Sequence, residues 1–185
     1  AHFNTFDSRR IMAGVLGSKG LEKITFFGKS AALEHVLPLA LLARTGLRYL
    51  KELVFSDGSV IDSDIKALAT FVLSSNASPL QLLELKSNPL ISDEGVTDLA
   101  RALSLNSVLT SLTLDGCTLI GDAGASKLGF ALRSNQSLTS VGLSDCPSIG
   151  DSGITALVDV LHANRTVTSL NLNLPQAWDN VRGNH

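Results

Sequence analysis

The chain has 185 residues, 33 of them leucine, enough for one sizeable core. With 44% apolar and 17% charged residues it does not read as a disordered tail, and a net charge of −2 argues against nucleic acid as the partner. The charge is uneven: residues 1–51 carry eight Lys/Arg against three Asp/Glu, and residues 52–185 carry seven against fourteen.

In chain order, Ala1–Arg10 lacks the layout of a signal peptide. Residues 8–20 read as the helix of a partial or capping first unit. The longest apolar run, Ala31–Ala43, is broken by Glu34, His35 and Pro38, so no membrane span is expected. A strand signal, apolar–variable–apolar, occurs at Ile24-Thr-Phe26 and recurs at Leu53-Val-Phe55, Leu83-Glu-Leu85, Leu112-Thr-Leu114, Val141-Gly-Leu143 and Leu170-Asn-Leu172. Successive starts are 29, 30, 29, 29 and 29 residues apart. Each is preceded three residues earlier by another apolar residue, Leu21, Leu50, Leu80, Leu109, Leu138 or Val167.

Between strands the period becomes helical. Ile65, Leu68, Ala69 and Val72 stand at i, i+3, i+4 and i+7; Val96, Leu99, Ala100 and Leu103 repeat that spacing, as do Ile154, Leu157, Val158 and Leu161. Ala125, Leu128 and Leu132 follow it with Gly129 in the vacant slot. A strand and a helix in 29 residues cannot bury both apolar faces alone, whereas stacked copies can. The expected fold is an α/β solenoid of about six units, a right-handed horseshoe with a parallel sheet inside the curve and helices outside. It forms one domain over residues 1–185, with 173–185 a C-terminal cap or a truncation.

These residues carry a resemblance. Leu80-x-x-Leu83-x-Leu85-x-x-Asn88-x-Leu90 and Leu109-x-x-Leu112-x-Leu114-x-x-Cys117-x-Leu119 match the leucine-rich repeat pattern, and Leu138-x-x-Val141-x-Leu143-x-x-Cys146 matches through the Asn/Cys position. The long helical half resembles the ribonuclease-inhibitor type found in NOD-like receptors and in GTPase-activating proteins of Ran. The stretch from Cys146 to Gly153 resembles repeats of F-box proteins. The resemblance implies a binding surface and leaves function open.

Each candidate for chemistry has a structural reading beside it. Asp64, Asp93, Asp122 and Asp151 precede or open the helices, and are read as caps in preference to a ladder of cation ligands. Asn76, Asn106, Asn135 and Asn164 recur near the helix ends; three lie in glycosylation sequons, but the slot is read as turn chemistry, Asn tolerating a left-handed backbone. Cys117 and Cys146 are expected to be buried structural thiols. Two cysteines make no disulfide scaffold, which points to a reducing, cytoplasmic setting. No cofactor, metal site or catalytic constellation is expected, so the chain is not read as an enzyme.

Residues alternating with the buried leucines should face the concave side. The first three strands present Phe27, Val54 and Leu82 among charges, and the last three are small and polar apart from Asp115. The candidate contact surface is Phe27, Val54, Leu82, Glu84, Lys86 and Asp115, with a protein as partner and the chain as a monomer. The alternative is that a preceding unit covers Phe27, leaving Val54 and Leu82 as ordinary scattered apolar residues.

Overall fold

The computed structural model describes residues 20–28, 49–58, 60–73 and 78–172. The expectations for residues 8–19, 31–43 and 173–185, and for Asn76, lie outside them. Six strands form one sheet: β1 (Lys23–Phe27), β2 (Glu52–Ser56), β3 (Leu82–Glu84), β4 (Ser111–Thr113), β5 (Ser140–Leu143) and β6 (Ser169–Leu172). All pair in parallel and in chain order. Between them run the helices α1 (Asp62–Leu68), α2 (Asp93–Leu103), α3 (Asp122–Leu132) and α4 (Asp151–Leu161). Each packs on the next. None of the described helices is long and apolar enough to cross a membrane.

The register follows from the repeat. Ile24, Leu53, Leu83, Leu112, Val141 and Leu170 stand in line across the sheet. They point toward the helices because every second strand residue turns to the same face. From Leu53 to Val141 these residues are fully buried, together with the helical stripes Val96–Leu99–Leu103 and Ala125–Leu128–Leu132. Each buried leucine contributes about 1.5–3 kcal/mol of transfer free energy, which no single unit could collect alone. At the N-terminal end the Phe26 and Phe55 rings stack 4.9 Å apart.

Every strand from β1 to β5 leaves through a left-handed residue: Gly28, Asp57, Ser87, Gly116 and Asp145, with φ between 53° and 88°. The unit from Leu53 to Leu83 is one residue longer than those that follow. Its helix ends in a π-turn, Ala69–Leu73, where the others remain α-helical. Widening one turn is how an α-helix absorbs an extra residue without shifting its buried stripe.

The last leucine of the repeat pattern is not a core residue: Leu90 and Leu119 lie outside, and Ile91, Ile120 and Ile149 fill that layer instead. Two expectations need correction. The asparagines do not supply left-handed backbone, since Asn106, Asn135 and Asn164 are absent from the positive-φ positions. The aspartates in line are Asp62, Asp93, Asp122 and Asp151, the first residue of each helix, whereas Asp64 lies two residues further on.

Candidate functional site

Polar columns tie one repeat to the next and hold the sheet rigid. The Asp93 carboxylate accepts the N–H groups of Gly121 and Gly124, at 2.7 and 2.9 Å. Asp122 does the same for Gly150 and Gly153, at 2.6 and 3.0 Å. Asp62 accepts from the backbone and hydroxyl of Ser92. Asp93 and Asp122 therefore cap the helix of the following repeat, where local reading predicts their own, while α2 is capped by its own Ser92 hydroxyl, which Asp62 holds in place. That is also why the third helical residue is glycine in α2 to α4. A Cβ at Gly124 would stand 2.5 Å from the Asp93 oxygen, and one at Gly153 would stand 2.6 Å from that of Asp122.

The asparagines form a second column. Asn135 donates to the Leu103 and Asn106 carbonyls at 2.7 and 2.9 Å and accepts from the N–H groups of Ser137 and Leu138. Asn164 repeats the pattern on Leu132 and Asn135, and Asn106 reaches Leu73. These amides are buried and engaged, so in the folded chain Asn135 and Asn164 do not present a glycosylation acceptor. A third column places Asn88, Cys117 and Cys146 in one slot, donating to the carbonyls of Phe55, Leu85 and Leu114. Both thiols are free and buried, and burial pushes them up, Cys117 to about 12 and Cys146 to about 11. They stay protonated and unreactive at neutral pH.

The sheet face turned away from the helices carries the candidate surface. Its central row runs Thr25, Val54, Glu84, Thr113, Gly142 and Asn171, flanked by the row Lys23, Glu52, Leu82, Ser111, Ser140 and Ser169. Phe27 lies at the end of β1 beside Ser56 and is 75% exposed. Val54 is only 6% exposed and offers almost no surface, so it is not the open apolar residue that alternation alone implies. Leu82 and Glu84 are half-buried and Lys86 is exposed. Two strand spacings, about 10 Å of sheet, separate Phe27 from Lys86.

Charges on this face are largely paired. Lys23 contacts Glu52 at 2.7 Å, and that hydrogen bond and charge raise the lysine above its usual range. The Ser56 hydroxyl donates to Glu84 at 3.5 Å. Asp115 leans across the next strand to accept the Ser144 N–H at 2.8 Å, and a Cβ at position 142 would stand 2.7 Å from its oxygen. Gly142 thus leaves room for Asp115, which is half-buried and fixed. Among the described residues no group of His, Cys, Asp and Glu is arranged to hold a metal.

This stack of parallel strands and flanking helices is the β–α solenoid architecture of leucine-rich repeats. The leucine-rich repeat family model matches residues 76–100, 105–129 and 134–158. No curated protein matches the sequence significantly. Among solved structures, the tropomodulin C-terminal domain of Caenorhabditis elegans superposes with a TM-score of 0.62 at 16% identity, covering 94% of this chain and 95% of that one. The actin-binding site 2 of leiomodin-1 gives a TM-score of 0.53 at 16% identity, covering 97% of this chain and 86% of that one. At such identity the likeness is one of fold.

Proposed function

We propose that the chain is a non-catalytic protein-interaction module, cytoplasmic and monomeric, that receives a protein partner on the concave face of its sheet. The carrying observation is Phe27, a large apolar side chain left 75% exposed on a sheet face whose other side chains are mostly polar or charged, with Leu82 half-buried among them. Apolar surface rimmed by charge marks a recognition patch. Leu82, Glu84 and Lys86 complete it, with Asp115 at its edge and Val54 as buried support. The hydrogen-bonded columns beneath hold the face in shape before contact, which lowers the ordering cost of binding.

The test compares wild type with a Phe27→Asp, Leu82→Asp double variant in affinity capture from cytoplasmic extract, with filamentous actin assayed in parallel by co-sedimentation. Leiomodin-1, whose actin-binding site shares this fold, makes actin the first purified partner to try. A partner retained equally by a folded double variant removes the site assignment. The GTPase-activating reading would rest on Arg9, Arg10 and Arg44, which lie outside the described residues, and unchanged GTP turnover by small GTPases would end it. The sequence of any adjoining segment would decide the F-box-type reading.

A further inference from the structure

The edge where strands end and helices begin carries a feature that core packing does not require. The loops 88–92, 117–121 and 146–150 lie side by side in successive repeats. Ser92 pairs with Leu119 in a parallel bridge, and the Ser148 hydroxyl donates to the Thr118 carbonyl at 2.8 Å. Ile91, Ile120 and Ile149 serve the core from these loops, which leaves Leu90 and Leu119 outside, 50% and 54% exposed. Pro89 and Pro147 are exposed in the same loops.

The charge around this ridge is one-sided. From the strand ends to the first helical turns, segments 86–95, 115–124 and 144–153 hold six acids against one base, Lys86. At the opposite edge, segments 101–110, 130–139 and 159–168 hold three arginines against one acid, Asp159. The asymmetry follows the helix dipoles, acids gathering where the helices begin. Its consequence is an apolar ridge set in a negative field.

We propose that the Leu90–Leu119 ridge docks a basic, partly apolar segment of a partner protein, one that presents leucine-like side chains flanked by Lys or Arg. Apolar contact supplies the hold, and the acids supply orientation and speed of encounter. The loops are laced to one another, so the ridge is formed before the partner arrives. It lies in the loops beyond β3 and β4, whereas Phe27 stands on the sheet at the end of β1; Lys86 and Asp115 border both, so substitutions at Leu90 and Leu119 are what separate the two surfaces.

A fluorescent peptide of leucine and lysine, followed by anisotropy, is the probe; its control carries glutamate at every lysine. The lysine peptide is expected to bind, and to weaken about tenfold or more when Leu90→Ser and Leu119→Ser are combined. Binding should also weaken as NaCl rises from roughly 50 to 500 mM. Both side chains already stand half in water, so the double variant should unfold at nearly the wild-type temperature. A Phe130→Ser variant, altering another exposed apolar residue, should bind as wild type does. Failure of the lysine peptide to bind, equal binding by the double variant, or equal binding of the glutamate peptide would each overturn the proposal.

Discussion

The unit from β2 to β3 and the units that follow solve the same problem differently. In α3 and α4 the first turn is closed by an aspartate from the repeat before, in α2 such an aspartate holds the capping Ser92, and in all three the third helical position is glycine to admit it. In α1 that position is Asp64, whose own carboxylate reaches back to the Ile61 N–H at 3.1 Å. The carboxylate is the same; its owner has changed. Self-capping has a cost. Asp64 is 1% exposed and one of its oxygens has no partner, so burial raises its carboxyl above the usual range despite the Ile61 N–H. The same unit carries the extra residue and the π-turn. Regularity here comes from groups lent between neighbours, and where the loan is replaced the helix departs from the pattern.

The sharpest way to break the regular region is Asn135→Ala. It strips partners from the buried Leu103 and Asn106 carbonyls and from two N–H groups. Denaturant unfolding should show a loss of about 3–5 kcal/mol. Next comes Gly153→Ala, whose methyl would meet both the Asp122 carboxylate and, at 2.9 Å, the Ile149 side chain. A loss of about 2–4 kcal/mol is expected; a neutral or stabilising effect, as Gly→Ala gives at an exposed helical position, would refute the close fit of the helix start against Asp122.

The smallest effect sharpens the contrast from the other side. Asp64→Asn keeps an acceptor for Ile61 but removes a buried charge, and should stabilise the fold by up to about 1 kcal/mol at neutral pH. The folded carboxyl binds its proton more tightly than the unfolded one. Its penalty is therefore full above the folded pKa and fades as pH falls through it toward the unfolded value. The advantage of the variant over wild type should shrink on acidification; an advantage that grows instead would contradict the direction of the shift.

Much of the fold was legible because a parallel array repeats its buried side chains at one spacing. The line from Ile24 to Leu170 could be drawn before any strand was seen to pair, and the two helical stripes with it. What local rules missed were bonds between repeats. Asp93 reads as a cap for α2 until the neighbouring helix is placed beside it, and the Asp-x-Gly spacing in α2, α3 and α4 was the available signal. Asn135 reads as a turn residue because nothing local shows the two carbonyls above it. Leu90 matched the pattern letter by letter, yet the bend of its loop turns Ile91 inward. In the candidate surface, alternation placed Phe27 and Val54 on one face but could not say that neighbours would close over Val54 alone.

The aspartate column has a direction. Every bond in it runs from an earlier repeat to the start of a later helix, and none of those described runs back. Damage at Asp93 should thus loosen α3 while α2 keeps its beginning, and hydrogen exchange along the chain would record the wound only on the downstream side.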